Sequence, residues 1–126
     1  MAKVLIVDDD PDVVDVAKML LEDEGHEVCF AGTREDGLRA VEVFGPDLLV
    51  LDVMLEQPDD GVYMAQELRR SGFDRPILMV SGISRITGMD FGADDEIVPV
   101  DVFMEKPIEP KAFVTKVNEL LSQRGV

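Results

Sequence analysis

A doubly wound α/β fold, five parallel strands alternating with helices as (βα)5, is predicted by two features of the sequence. Short apolar runs rich in Val, Ile and Leu alternate with stretches of helical period, and four of those runs close on a reactive side chain. Val4-Leu5-Ile6-Val7 closes on Asp8 and Asp9, and Leu48-Leu49-Val50-Leu51 on Asp52. Ile77-Leu78-Met79-Val80 closes on Ser81, and Val102-Phe103-Met104-Glu105 on Lys106-Pro107. Apolar runs of this length read as strands of a parallel sheet buried on both faces. Open parallel sheets bind ligands outside the carboxyl ends of their strands. The four closing groups are therefore expected to share one site.

The connecting segments supply the helices. Asp10 is placed to cap the first helix, with Pro11 at its first position. Val13, Ala17, Leu20 and Leu21 then share a face, and Gly25 ends it. A second strand is expected over roughly Glu27–Phe30. Thr33, with Asp36 three residues on, opens a helix through a capping box. Leu38, Val41 and Phe44 of that helix point inward, and Gly45-Pro46 stops it. A third helix is predicted over about Asp60–Arg70, with Val62, Ala65 and Leu68 as its apolar stripe and Gly72 beyond. Across Ser84–Asp95 a short helical pattern is interrupted by Gly88 and Gly92. The last helix begins near Pro110 and buries Phe113, Val117, Leu120 and Leu121. No repeat or linker interrupts the alternation, so residues 1–126 read as one domain.

Composition removes several function classes. The chain is 46% hydrophobic, which excludes a disordered chain. No apolar stretch approaches the ~20 residues that span a bilayer. The sequence enters a strand with no charged-then-apolar leader, and the single Cys29 cannot form an internal disulfide; both features point to the cytoplasm. A net charge of −15 argues against direct nucleic-acid binding. The charge is uneven. Residues 1–60 carry 17 Asp and Glu against 4 Lys and Arg, whereas residues 61–126 carry 10 against 8. The acidic half holds the proposed pocket, and the nearly neutral half is the better protein-docking face.

Taken in order, Val7-Asp8-Asp9-Asp10-Pro11, Leu51-Asp52-Val53-Met54, Val80-Ser81-Gly82 and Phe103-Met104-Glu105-Lys106-Pro107 resemble the receiver domain of two-component response regulators. The resemblance covers the whole chain and implies a flavodoxin-like sheet. The chain stops soon after its last helix, as single-domain regulators do. Asp52 is the expected phosphoacceptor, since an ionised carboxylate can attack phosphorus and hold the group as an acyl phosphate. The resemblance implies Mg²⁺ bound by Asp9, Asp52 and the backbone carbonyl of Met54, with Asp8 acting mainly through water. A divalent ion suits this set because it takes oxygen ligands and relieves repulsion among clustered carboxylates. Lys106 supplies a mobile positive charge to the phosphoryl oxygens, or a salt bridge to the acidic pocket. Ser81 offers a hydroxyl donor. Phe103 matches the family's switch aromatic, with plain core packing as the rival, and Pro107 the position that carries a cis bond.

The implied partners are a sensor histidine kinase or phosphotransfer protein and a downstream protein target. Acceptance of a phosphoryl group and its own dephosphorylation would be the only chemistry, with no separate substrate turned over. Asp10 reads as a helix cap rather than a ligand, His26 as a surface residue, Cys29 as a small buried hydrophobe and the Met residues as core filler.

The sequence also departs from the family. Glu56 stands where a proline is usual, Pro58 follows two residues later, and Gly61 arrives one residue late. An extended Glu96–Asp101 segment precedes the last strand. Other classes fit less well. A flavodoxin-like redox protein would want a hydroxyl- and Gly-rich loop where Asp8-Asp9-Asp10-Pro11-Asp12 stands. An aspartyl-phosphate phosphatase would want an Asp at Met54. An adaptor of the same fold that works without phosphorylation would need an inert pocket.

Overall fold

A computed structural model describes residues 2–53, 55, 60–81, 100–106 and 108–123. Five strands are present: β1 (Lys3–Val7), β2 (Glu27–Ala31), β3 (Leu48–Asp52), β4 (Ile77–Ser81) and β5 (Val102–Glu105). They form one parallel sheet in the order β2-β1-β3-β4-β5. Four helices are described: α1 (Pro11–Asp23), α2 (Arg34–Phe44), α3 (Asp60–Arg70) and α4 (Pro110–Gln123). The helix expected within Ser84–Asp95 lies outside the described residues, as do Met54, the Glu56–Asp59 stretch and Pro107.

Why the sheet is buried on both faces is visible in β1 and β3. Val4 and Ile6 join Val14, Ala17 and Leu21 of α1 and Phe113 and Val117 of α4 in one apolar cluster. Leu5 and Val7, one residue out of phase, join Val62, Ala65 and Leu68 of α3 in the other. A fully buried Val, Leu or Ile contributes about 1.5–3 kcal/mol. With every residue of Val4–Val7 and Leu48–Asp52 buried, the central strands anchor the molecule. The switch from leftward to rightward winding falls between β1 and β3, so a crevice opens where Asp8, Asp9 and Asp52 emerge.

The helix ends follow the expected capping chemistry. Asp10 accepts from the amide of Asp12, with Pro11 opening α1, and Thr33 accepts from the amide of Asp36 at the start of α2. Gly45 ends α2 at φ 63°, a conformation that a residue with a Cβ resists.

Three expectations need correction. The buried stripe of α1 runs through Val14, Ala17 and Leu21, while Val13 and Leu20 are only half-buried. Cys29 is exposed, because β2 is an edge strand and only Ala31 of its five residues is buried. His26 is half-buried and tied in: its Nδ1 accepts from the Ala2 amide at 3.2 Å, and its Nε2 lies 3.2 Å from Asn118 Oδ1.

Candidate functional site

The residues that close β1 and β3 meet as expected from a parallel pairing in which Val7 lies opposite Leu51. Carboxylate oxygens of Asp8, Asp9 and Asp52 all lie within 4.8 Å of one another. Asp8 and Asp52 are buried, and Asp9 is exposed at the mouth. The backbone secures Asp8 twice, its amide donating to the Ala31 carbonyl at 3.0 Å and its Oδ1 accepting from the Asp10 amide at 2.9 Å. Asp10 is thus cap and brace rather than part of the cluster.

Lys106 follows β5, beyond β4, and still reaches the cluster. Its Nζ lies 2.9 Å from Asp8 Oδ2 and 3.4 Å from Asp52 Oδ1, with a side chain only 16% exposed. Burial alone would lower the pKa of this ammonium and is the largest single influence. The carboxylates of Asp8 and Asp52 together outweigh it, so the pKa stands above the ordinary 10.5. The 2.9 Å contact to Asp8 is a charge-assisted one, and apart from Lys106 the buried Asp8 Oδ2 meets no donor among the described residues. Three carboxylates gathered around a single ammonium are an oxygen donor set, with negative charge in excess, that fits a hard divalent cation.

Two further features were not read from the sequence. Gly61 of α3 donates its amide to the Val53 carbonyl at 2.8 Å, and any Cβ there would overlap the carbonyl oxygen of Asp52. The late glycine therefore still packs α3 onto the end of β3. Beside the carboxylates, a cleft of about 300 Å³ is lined by Asp8, Asp9, Pro11, Phe30, Gly32 and Thr33 among others. Its far wall is the end of β2, a strand whose closing residues carry no reactive group and so gave no signal.

Of the remaining expected residues, Ser81 ends β4 opposite Glu105 in the sheet. Phe103 is half-buried, pairs in register with Met79 and packs against the cluster beneath α3. Met54 and Pro107 lie outside the described residues.

Residues 4–118 match the family model described as the response regulator receiver domain. The chain belongs to that family. It is 34% identical over 98% of its length to the alkaline phosphatase synthesis transcriptional regulatory protein PhoP of Bacillus subtilis, covering 50% of that protein. It is 35% identical over 94% of its length to the transcriptional regulatory protein TrcR of Mycobacterium tuberculosis, covering 45% of it. The chain thus spans about half the length of the curated relatives it matches. Among solved structures, a CheY-like receiver domain from Methanospirillum hungatei superimposes with a TM-score of 0.86 at 26% identity, covering 99% of this chain and 97% of that one. A response regulator structure from Chloroflexus aurantiacus gives 0.80 at 30% identity, covering 96% and 98%. The receiver fold read from the sequence is therefore the observed one. No described helix is long and apolar enough to cross a membrane.

Proposed function

We propose that this receiver domain accepts a phosphoryl group on Asp52 from a histidine kinase or phosphotransfer protein and signals by a change at its protein-binding surface. The observation that carries the reading is the meeting of Asp8, Asp9, Asp52 and Lys106 at one crevice. In the reaction a carboxylate oxygen of Asp52 forms the new bond to phosphorus. The phosphorus–nitrogen bond of the donor's phosphohistidine breaks, and the electron pair leaves with the imidazole. Lys106, held charged between two carboxylates, is in place to pair with a phosphoryl oxygen once Asp52 has spent its negative charge on the new bond.

Asp8, Asp9 and Asp52, with the Met54 carbonyl, would hold Mg²⁺. When bound, the ion supplies charge neutralisation for the carboxylates and the phosphoryl oxygens. Ser81, at the end of β4, would donate its hydroxyl to the phosphoryl group. The added charge of about −1.5 to −2 would be read through Ser81 and Phe103 at the surface of β5 and α4. With a net charge of −15, the domain itself addresses proteins rather than DNA, in the cytoplasm.

The test is a mass measurement. Incubation with acetyl phosphate and Mg²⁺ is expected to add one phosphoryl group that hydroxylamine removes. Asp52→Asn keeps the shape without the nucleophile and is expected to take none. Labelling of that variant at the wild-type level would move the chemistry elsewhere, and no labelling of the wild type would favour a phosphorylation-independent adaptor.

A further inference from the structure

Lys106 reaches the site from a strand with little of its own to fix its register. β5 has four residues, pairs only with β4 and forms the edge of the sheet. Its first three residues, Val102, Phe103 and Met104, are all half-buried. Register in a sheet is specified where one face is clearly buried, and a slip of one residue sends each side chain to the opposite face. Val102 and Met104 pack on one core cluster and Phe103 on the other, but none is fully buried. Burial therefore specifies β5 less firmly than β1 or β3, and a slip would carry Lys106 away from Asp8 and Asp52.

The residue before β5 supplies what the strand lacks. The Asp101 amide donates to the Ile77 carbonyl at 3.0 Å, and Asp101 Oδ2 accepts from the Ile77 amide at 2.8 Å. One residue thus engages both backbone groups of the first residue of β4. Arg69, near the end of α3, holds that carboxylate in turn, with Nη2 at 3.1 Å from Asp101 Oδ2. Its Nη1 donates to the carbonyls of Phe73 and Arg75 at 2.9 and 2.8 Å, so the guanidinium is fixed by the α3–β4 turn.

Among the described residues the same arrangement recurs at Asp47. Asp47, before β3, donates its amide to the Lys3 carbonyl at 2.7 Å and accepts from the Lys3 amide at 2.9 Å. There it is redundant for register, because Leu48–Asp52 are buried throughout.

We infer that Asp101, braced by Arg69, is a register lock for β5 and hence a positioning residue for Lys106, some 17 Å further along the strand. The inference rests on the phosphoacceptor reading, since the quantity that the lock protects is the approach of Lys106 to Asp52.

The experiment compares labelling by acetyl phosphate with Mg²⁺ affinity, at a temperature where each variant is folded. Mg²⁺ would bind on β1 and β3, whereas Lys106 comes from β5. Asp101→Ala is expected to lower the labelling rate by about tenfold to a hundredfold, the upper figure being what a 1 Å misplacement can cost. Its Mg²⁺ affinity is expected to hold or tighten, because a displaced ammonium no longer competes for the carboxylates. Asp101→Asn, which keeps an acceptor for the Ile77 amide, is expected to recover most of the rate.

Labelling of Asp101→Ala at the wild-type rate would overturn the lock. So would a parallel loss of Mg²⁺ affinity, which marks general damage. If Asp101→Ala does not fold, Arg69→Gln carries the same two readouts with the same expected and overturning results. Cross-strand proton contacts between Met79 and Phe103 give an answer that needs no labelling. They are expected to weaken in Asp101→Ala, and their retention would overturn the lock even if Asp52 proved not to be the acceptor. Failure of the wild type to label sinks the acceptor reading instead.

Discussion

The two ends of the sheet use aspartate in opposite ways. At the amino ends of the strands, Asp47 and Asp101 each lie against a backbone amide that they accept from, and each has an arginine near it. At the carboxyl ends, Asp8, Asp9 and Asp52 crowd within 4.8 Å of one another, with the Lys106 ammonium against Asp8 and Asp52. The first arrangement satisfies its charges within the fold. The second sets three carboxylates against one ammonium, an excess of negative charge that a bound cation would offset. Like charges held together by neighbouring strands are a cost that only a site with a ligand would keep. One end of the sheet therefore holds the fold, and the other gathers the groups of the proposed chemistry.

The largest expected effect separates the ends through a cation. If the carboxyl-end cluster is built to bind Mg²⁺, the ion will stabilise the folded chain in proportion to its occupancy. At a hundredfold excess over the dissociation constant the gain is about 2.7 kcal/mol. Thermal unfolding with and without Mg²⁺ measures it. Asp9→Ala removes one ligand at the exposed mouth and is expected to abolish the rise. A full Mg²⁺ response in that variant would mean that the ion is held elsewhere.

A smaller effect comes from Lys106. Its pKa is raised in the folded protein above the ordinary 10.5, so its contribution to stability is fully present below that value. As the pH climbs through the raised folded pKa, the ammonium loses its proton and the contribution disappears. Stability of the wild type, measured without Mg²⁺, is thus expected to fall more steeply above about pH 10.5 than that of Lys106→Met. Parallel curves for the two proteins would mean that the ion pair with Asp8 and Asp52 does not support the fold.

How much of this could be read from the sequence depends on distance along the chain. β1, β3, β4 and α3 were legible because their signals are local: uninterrupted apolar runs, a 3.6-residue stripe, a cap, a glycine. The meeting of Asp8, Asp9, Asp52 and Lys106 was legible because each closes such a run, so chain direction alone brings them together. The holding end was not. Asp47 and Asp101 lie 44 and 24 residues from the amides they accept from, and nothing local distinguishes them from solvated carboxylates. His26 was misread for the same reason, its partners being 24 and 92 residues away. Cys29 was misread because strand order decides whether a strand is an edge, and no short motif states it. The packing of Gly61 on Asp52 is likewise a contact between elements.

The smallest expected effect sharpens the comparison between the two clasps. Asp47→Ala removes the acceptor for the Lys3 amide and a long-range contact to Arg75 at 4.0 Å. A hydrogen bond to a charged group contributes about 1.5–3 kcal/mol when well buried. Asp47 is 26% exposed at its side chain, so water can replace part of what is lost. The expected cost is nearer about 1 kcal/mol. Because Val4–Val7 of β1 and all of β3 are buried, the register between them will survive. The angle of approach between Asp8 and Asp52 will then be unchanged, and so will both Mg²⁺ affinity and the rate of labelling by acetyl phosphate. Denaturant unfolding measures the first quantity, and the two site readouts measure the others. The same substitution at Asp101 is expected to slow labelling, because β5 is only half-buried and less firmly held by packing than β1 and β3. If Asp47→Ala slowed labelling as much as Asp101→Ala does, the clasps would be equivalent. The weak burial of β5 would then not be what makes its lock matter.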